Sequence, residues 1–291
     1  MNIYGFMIVK DEADILAQTI LSLIKFGSFK KIFIYDNGSK DATLQTAQQF
    51  SSNQVVVSQL LEQFTDNLKY ENVYRQVGLL QDGDWFAILD ADEIYQEPLL
   101  PVVLNAELEQ ANFIETRSAQ FYFTDDNKNH EFKPDIAAAE QRPHYLINYG
   151  EPRIFKYNSK TKLTADQIKK KAHPLVVSSK LFLIHHFQFR SASQTQRRLD
   201  IRLANNVHSK NWGHINSANW QDYMVCARYL HRYDGNLREG LPAGANLYKI
   251  KNNAAYTMAN LLWLRKHGYL TPDQMEFFDA SRLQRLIRKL W

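Results

Sequence analysis

Strand-like and helix-like segments alternate along residues 3–95 of this chain, and this alternation limits the folds that the chain can adopt. Short apolar segments with strand character lie at residues 3–9, 32–35, 55–57 and 85–89, and apolar residues between them recur at helical spacing. Parallel strands need a crossover connection, which is usually a helix. The sequence therefore predicts an α/β fold with a mixed, mostly parallel sheet flanked by helices.

Three helices are expected between these strands. Asp11 is expected to cap the first helix, and Gly27 is expected to end it. The second helix is expected to begin at Asp41 and to run to Phe50, and the third to include residues 70–80. Each helix would return the chain to the start of the next parallel strand.

The pattern changes in the later part of the chain. Residues 113–123 and 181–184 have strand character, and the lysine-rich residues 160–171 are expected to form a mobile basic loop. Helical patterns dominate the last third of the sequence. We therefore expect a sheet-containing domain over residues 1–190 and a mainly helical C-terminal region over residues 191–291.

Three carboxylates follow an uncharged apolar strand. Trp85–Leu89 leads directly into Asp90, Asp92 and Glu93. In open α/β sheets, ligands bind at the carboxyl ends of the strands. Clustered carboxylates repel one another unless a cation or a network of donors holds them. Because Mg²⁺ usually takes one or two carboxylates and leaves its other positions to phosphates and water, the pattern favours a divalent metal that also binds a diphosphate.

Further polar residues are expected at the same edge of the sheet, because the carboxyl ends of neighbouring parallel strands lie side by side. The expected contributors are Val9, Lys10, Asp11, Glu12, Asp36, Asn37 and Arg75. An ionised carboxylate only accepts hydrogen bonds, so Asp36 suits ribose hydroxyls or the edge of a base. Arg75 offers a planar fork for phosphate oxygens.

Composition excludes several classes of protein. The single cysteine, Cys226, rules out an intramolecular disulfide and a cysteine-based metal cluster, and it suits a reducing cytoplasm. A formal net charge of +4 is too small to indicate binding to nucleic acid. No apolar run approaches the ~18–20 residues of a membrane span, and the first residues are expected to form a strand and not a secretory signal. We therefore expect a cytoplasmic protein.

Three motifs together resemble family 2 glycosyltransferases of the GT-A fold. They are Lys-Asp-Glu after the first strand, Asp-Asn-Gly-Ser-x-Asp-x-Thr from Asp36, and Arg75 ahead of the apolar strand that ends in Asp-Ala-Asp-Glu. Their order and spacing match over residues 3–95. The later His186-Phe187-x-x-Arg190-Ser191 is similar to an element of a bacterial branch of that family.

The resemblance implies a GT-A, Rossmann-like nucleotide-binding domain with a helical appendage that shapes the acceptor site. It implies a nucleotide-sugar donor, with the base and ribose near Val9, Asp11, Asp36 and Asp90, and with Arg190 as a further donor-binding residue. It also implies a divalent metal, Mn²⁺ or Mg²⁺. The candidate metal ligands are Asp92, His186 and Asp90, with His185 as the neighbour to test beside His186.

The resemblance further implies an inverting reaction by a single displacement, in which an acceptor hydroxyl attacks the sugar. The acceptor would be a glycan or a lipid-linked molecule in surface polysaccharide assembly. The basic amphipathic residues 283–291 would then contact an anionic membrane at its inner face, or they would pack on the domain as a terminal helix.

The proton acceptor is not identified by the resemblance, because the Glu-Asp pair of many family members is absent. Asp125 and Asp126 are the first candidates, since they follow a strand, and Glu151 is the second. Two alternatives stay open. A sugar-phosphate nucleotidyltransferase would be expected to carry a glycine-rich loop after strand one, which this sequence lacks. A non-catalytic module that binds sugar nucleotides or glycans is favoured by the missing pair.

Overall fold

The computed structural model describes residues 1–76, 78–169, 175–209, 217–242, 245, 247 and 258–280. The described strands are β1 (Ile3–Val9), β2 (Lys31–Asp36), β3 (Val55–Gln59), β4 (Trp85–Leu89), β5 (Glu93–Tyr95), β6 (Phe113–Ile114), β7 (Thr116–Phe121), β8 (His144–Tyr149), β9 (Ile154–Lys156), β10 (Phe182–His186) and β11 (His231–Arg232). The described helices are α1 (Leu16–Phe26), α2 (Thr43–Gln48), α3 (Asp66–Arg75), α4 (Leu100–Leu108), α5 (Ala138–Gln141), α6 (Ala165–Lys169), α7 (Ala192–Ser209), α8 (Met258–Lys266) and α9 (Pro272–Asp279).

The chain forms two compact units. The first consists of Met1–Ser118 and Gly150–His186. The second consists of Ala119–Tyr149 and the described residues from Phe187 onward. Each unit is built from two separate stretches of the sequence, so the chain leaves the first unit after Ser118, returns to it at Gly150 and enters the second unit again at Phe187.

A twisted sheet with the strand order β3-β2-β1-β4-β9-β6 forms the centre of the first unit. The strands β3, β2, β1 and β4 are parallel, and β9 runs antiparallel to both β4 and β6. Continuous apolar strands such as β4, in which every residue is buried, are typical of parallel sheets that are covered on both faces. The predicted α/β fold with a mixed, mostly parallel sheet is confirmed, and the carboxyl ends of β2, β1 and β4 lie side by side.

Helices cover both faces of this sheet, because successive strand residues point to opposite sides. On one face, Met7 and Ala87 pack with apolar residues of α1 and α4. On the other face, Phe6 and Phe86 pack with residues of α3 and α6. Burial of each large apolar side chain contributes about 1.5–3 kcal/mol, so these two layers hold the strand ends in place.

The expected start of the first helix is wrong. Helix α1 begins at Leu16, and Asp11 lies in the preceding loop with a φ of 54°. The Asp11 carboxylate accepts a hydrogen bond from the Lys40 backbone N–H at 2.6 Å, so it binds the neighbouring loop instead of capping the helix. Gly27 ends α1 as predicted, where an added Cβ would lie 2.1 Å from the Phe29 ring.

Two other helices differ from expectation in their bounds. Helix α2 begins at Thr43, because Asp41 accepts hydrogen bonds from the Thr43 backbone and side chain and so precedes the helix. Helix α3 ends at Arg75, and Leu80 therefore lies beyond it. Val77, which was also expected in that helix, lies outside the described residues.

The lysine-rich segment is not a loop throughout. Residues Ala165–Lys169 form α6, whose apolar residues pack against the same face of the sheet as α3. The backbone N–H of Ala165 donates to Asn67 Oδ1 at 2.9 Å. This apolar contact and hydrogen bond explain why the expected loop contains a helix. Lys170 and Lys171 lie outside the described residues.

The second unit contains β8 and β11, which pair in an antiparallel arrangement. It also contains α7, α8, α9 and two 3₁₀ segments, Trp220–Tyr223 and Ala227–Tyr229. Leu146, Leu261 and Leu264 belong to its apolar core. Within the part of the chain that is described, no helix is long and apolar enough to span a bilayer. The predicted amphipathic end at residues 283–291 lies outside the described residues.

Candidate active site

The three sequence-predicted carboxylates lie in a tight turn between β4 and β5, which we call the acidic turn (Asp90–Glu93). The Glu93 backbone N–H donates to the Asp90 carbonyl at 3.2 Å, and this bond closes the turn. The hydroxyl of Thr19 in α1 donates to the Ala91 carbonyl at 2.6 Å. Asp92 and Glu93 are buried, with 3% and 6% of their surface exposed. The turn thus brings carboxylates into an environment where they need partners.

Two basic side chains bind the ends of the acidic turn. Arg153, which precedes β9 and is itself buried, contacts Asp90 Oδ2 and lies 2.7 Å from Glu93 Oε1. Lys69 Nζ of α3 lies 2.7 Å from Asp90 Oδ1. Burial alone would raise the pKa of Asp90, but the charges of Arg153 and Lys69 bring it below its usual value. Side chains of the protein therefore neutralise part of the charge that the sequence assigned to a metal.

Asp92 lies beside a histidine instead. Strand β10 pairs with β5 so that His186 is opposite Glu93, and His186 Nε2 is 3.5 Å from Asp92 Oδ1. Burial would lower the pKa of His186, but the Asp92 carboxylate raises it above its ordinary value. His185 points to the other face of β10, where burial lowers its pKa to about 4. The structure thus brings His186, and not His185, to Asp92.

The donor set fits a divalent cation that is only partly held by protein. Among the described residues, no group of three or more His, Cys, Asp or Glu side chains is arranged to hold a metal. Asp92 and His186 supply one oxygen and one nitrogen ligand; a carboxylate oxygen suits Mg²⁺ or Mn²⁺, and an imidazole nitrogen is a ligand for transition-metal ions. A cation there would take its other positions from phosphate and water. Asp90, the third predicted ligand, has both carboxylate oxygens in contact with Lys69 and Arg153.

The ends of β1 and β2 form the predicted nucleotide-binding edge. The Asn37 backbone N–H donates to the Val9 carbonyl at 2.8 Å, and Asp36 Oδ2 accepts from the Ser39 N–H at 3.2 Å. Asp36 Oδ1 is buried and has no hydrogen-bond partner among the described residues. Leaving a buried acceptor unsatisfied is costly, so this oxygen is suited to accept a hydrogen bond from a ligand.

Three backbone N–H groups of the β1–α1 loop are already bound by the β2–α2 loop. Asp11 N donates to Ser39 Oγ at 3.0 Å, Glu12 N to Thr43 Oγ1 at 2.8 Å, and Ala13 N to Asp41 Oδ2 at 3.3 Å. Lys10, at the start of this loop, is exposed. These bonds fix the two loops together and leave their predicted residues Val9, Lys10, Asp11, Glu12, Asp36 and Asn37 at one edge of the sheet.

Arg75, the predicted phosphate ligand, is directed to another partner. Its Nη1 and Nη2 atoms lie 2.5 and 2.9 Å from the two carboxylate oxygens of Glu62. Both side chains are more than 40% exposed, so solvent screens this ion pair.

Glu151 is the most exposed of the predicted carboxylates in the first unit, with 66% of its side chain exposed, and its Oε2 lies 3.2 Å from Arg153 Nη1.

The other predicted site residues lie in the second unit. Asp125 Oδ1 accepts from the Ala227 N–H at 2.9 Å. Burial would raise the pKa of Asp125, but this hydrogen bond helps to lower it. Asp126 contacts the Thr124 hydroxyl, and its Oδ2 lies 3.5 Å from His144 Nδ1. Arg190 is fully buried and donates to the Phe187 carbonyl at 2.8 Å.

Sequence reasoning missed Arg153, Lys69 and Thr19 at the acidic turn. Three carboxylates after a buried strand are themselves a signal that basic side chains lie nearby. The sequence does not show which ones, because Arg153 is 63 positions from Asp90 and the pairing of β9 with β4 is antiparallel.

A profile of glycosyl transferase family 2 matches residues 6–184, which include both loops, the acidic turn and most of β10. The chain belongs to this family. No curated protein sequence matches the chain. The match confirms the family that the motifs at residues 3–95 indicate.

The solved structures that are similar to the chain have low sequence identity to it. The Staphylococcus aureus TarS fragment 1–349 is 12% identical over 72% of this chain and 66% of that fragment, with a TM-score of 0.40. Its complex with UDP-GlcNAc is 12% identical over 72% of this chain and 67% of that fragment, with a TM-score of 0.39. The 4-diphosphocytidyl-2C-methyl-D-erythritol synthase of Anaerococcus prevotii gives 14% identity, 71% and 95% coverage, and a TM-score of 0.35. The chain therefore spans 66% of the solved TarS fragment.

Proposed function

We propose that this chain is a metal-assisted, inverting glycosyltransferase that takes its sugar from a nucleoside-diphosphate sugar. The observation that carries the proposal is the placement of two features at one edge of the sheet. The unpartnered Asp36 oxygen lies at the end of β2, and the Asp92–His186 pair lies at the end of β4 and β10. Since β1 separates β2 from β4 and neighbouring strands are about 4.8 Å apart, the ends of the two strands that lead to these features are about 10 Å from each other. A nucleoside diphosphate can span that distance.

In this proposal, Asp36 would accept a hydrogen bond from the base or ribose, and Asp92 and His186 would hold a divalent cation. When bound, such a cation neutralises charge on the departing nucleoside diphosphate. Asp11 and Asn37 hold the two loops in position through the Lys40 N–H and the Val9 carbonyl. The sugar passes directly to the acceptor hydroxyl, so no covalent intermediate with the protein is needed.

The proton of the acceptor hydroxyl must pass to a carboxylate in its basic form. Glu151 is supported by its exposure and by its link through Arg153 to the acidic turn. Asp126 is supported by its half-exposed side chain and by His144, which lies 3.5 Å from it. Asp125 is the weaker candidate, because a carboxylate whose pKa is lowered is a poorer base.

The proposed acceptor is a glycan or a lipid-linked saccharide in the assembly of a surface polysaccharide, as the resemblance to bacterial family members implies. A cytoplasmic location belongs to the same proposal. So does contact of residues 283–291 with the inner face of a membrane.

The nucleotidyltransferase alternative is not favoured by the β1–α1 loop. Such an enzyme would be expected to cradle phosphates with a glycine-rich loop after the first strand. Here the loop has no glycine, and the backbone N–H groups of Asp11, Glu12 and Ala13 donate to side chains of the neighbouring loop. These donors are therefore already used within the protein.

A thermal-shift screen with UDP, GDP, CDP, ADP and dTDP, each with and without Mn²⁺, tests the proposal. A ligand that binds only the folded protein raises the melting temperature, by about 5 °C or more near saturation for a protein of this size. We expect one nucleotide to give a Mn²⁺-dependent shift that the Asp92→Asn variant loses. The matched control is Asp82→Asn, since Asp82 is an exposed carboxylate that binds Ser159 and should leave the shift intact.

Incubation with the matching nucleotide sugar and Mn²⁺ then separates an enzyme from a binding module. Slow release of sugar and nucleoside diphosphate supports the transferase. A nucleotide shift that Asp92→Asn retains would contradict the metal site, and binding without any turnover in the presence of glycan acceptors would favour the non-catalytic module.

A further inference from the structure

We infer that Arg153 is a positioning residue that fixes the acidic turn so that Asp92 presents its carboxylate to the donor-bound cation. This inference rests on the proposed function, since it gives Arg153 a role in the same site. Arg153 belongs to none of the motifs that indicated the family. It directly precedes β9, and β9 pairs with the edge of β4 opposite to β1.

The backbone of Arg153 is anchored next to the strand that leads into the turn. The Ile88 N–H donates to the Arg153 carbonyl at 2.8 Å, and Ile154 pairs with Ala87 in the antiparallel register. The Arg153 side chain is 3% exposed, so packing around it limits the positions of its guanidinium group. The side chain therefore has a fixed base from which to reach the turn.

The guanidinium group connects both ends of the acidic turn. Its Nη2 atom contacts Asp90 Oδ2 and lies 2.7 Å from Glu93 Oε1, and its Nε atom lies 3.3 Å from the same Glu93 oxygen. A planar fork of fixed N–H groups can bind two carboxylates at once, and this is a geometry that a lysine ammonium does not reproduce.

The residues on both sides of Asp92 in the acidic turn are held by contacts with other parts of the first unit. The Ala91 carbonyl before it accepts from Thr19, and the Glu93 side chain after it binds Arg153. On the far side of Asp90, Lys69 holds the other carboxylate oxygen at 2.7 Å. With these neighbours fixed, the direction of the Asp92 side chain toward His186 is set by the turn.

Loosening the turn should therefore weaken cation binding without removing either ligand. Partners that orient metal ligands typically change metal affinity by about 10–100-fold when they are mutated. We expect Arg153→Lys, which keeps the charge and loses the fork, to weaken Mn²⁺ binding by about 10-fold or more. Mn²⁺ alone is the probe, titrated against the 291-residue chain and followed by electron paramagnetic resonance of the free ion.

The matched control is Lys156→Met. Lys156 lies three residues further along the same part of the chain and pairs with Glu107 at 2.8 Å, away from the acidic turn. We expect this control to bind Mn²⁺ as the wild type does, and Asp92→Asn to lose binding. Melting curves in EDTA report the folding of each variant separately. A purely structural role for Arg153 would lower the melting temperature and leave the Mn²⁺ affinity of the folded protein unchanged.

The outcomes distinguish the inference from the function on which it rests. If Asp92→Asn loses Mn²⁺ and Arg153→Lys binds it as tightly as the wild type, the inference fails and the proposed metal site stands. If the wild type binds Mn²⁺ neither alone nor together with any nucleoside diphosphate of the thermal-shift screen, both fail. If Arg153→Lys does not fold, Glu93→Gln decides, because it removes one of the two carboxylates of the acidic turn that Arg153 joins. Unchanged Mn²⁺ affinity in Glu93→Gln overturns the inference.

Discussion

Asp90 and Asp92 are two positions apart, yet their side chains have different partners. Both oxygens of Asp90 contact the basic side chains of Lys69 and Arg153, whereas Asp92 lies 3.5 Å from His186. The sequence indicates that these carboxylates need positive charge, because they follow a buried strand. It does not indicate that protein cations serve Asp90 and Glu93, since Arg153 reaches them only through strand pairing that joins distant parts of the chain.

The proton acceptor is a prediction at the scale of single residues. If Glu151 accepts the proton, Glu151→Gln should lower kcat by about 10²–10⁴-fold. The Kd of the nucleotide, measured by isothermal titration calorimetry, should change little, because the base acts on the acceptor. Asp126→Asn is the parallel variant and should then keep a kcat within a few-fold of the wild type.

The opposite pattern would assign the role to Asp126. Full loss of kcat in Asp126→Asn, with near-normal turnover in Glu151→Gln, would contradict the assignment to Glu151. Normal kcat in both variants would exclude both carboxylates as the proton acceptor and would leave Asp125 as the remaining candidate.

At the scale of elements, the positions of the strands and the existence of the first three helices follow from the spacing of apolar residues. The starts of α1 and α2 do not. Aspartate is a common cap residue, but Asp11 accepts a hydrogen bond from the Lys40 N–H and Asp41 accepts one from the Ala13 N–H, each in the other's loop. Such non-local hydrogen bonds compete with capping, and no local pattern shows which will prevail. The same holds for α6, where contacts with the sheet select a helix in a lysine-rich segment.

The end of helix α4 gives a prediction for the dependence of stability on pH. Glu109 accepts hydrogen bonds from Ser178 and Ser179, and these bonds lower its pKa from 4.5 to about 2. Because the pKa is lower in the folded state, the stabilisation is present above pH 4.5 and is lost as the pH falls toward 2. Urea unfolding of wild type and Glu109→Gln should therefore show different midpoints at pH 6–7.

The two midpoints should converge as the pH falls through this window, because the protonated Glu109 carboxyl no longer favours the folded state. A difference between wild type and variant that stays constant from pH 7 to pH 2 would contradict the tie between Glu109 and the two serines.

At the scale of the whole molecule, the alternation of strands and helices was sufficient to predict the α/β class. It also predicted that the ends of β1, β2 and β4 share one edge, and the strand order confirms this. The spacing of apolar residues does not predict the antiparallel pairing of β9 with β4 and β6. It also does not predict that the chain forms two units, each assembled from separate stretches of sequence. The shared edge of the sheet that carries the predicted donor residues was therefore accessible from sequence, whereas Arg153 and Lys69, which bind the acidic turn, were not.

The central claim is that Asp36 and the Asp92–His186 pair bind the two ends of one nucleoside-diphosphate sugar. The most direct test is a crystal structure with Mn²⁺ and the nucleoside diphosphate that gives the largest thermal shift, with data collected at the manganese absorption edge. We expect an anomalous peak within coordination distance of Asp92 and His186 Nε2, and a base or ribose donor against Asp36 Oδ1. A bound nucleotide with its manganese peak away from Asp92, or a nucleotide that does not reach Asp36, would contradict the account.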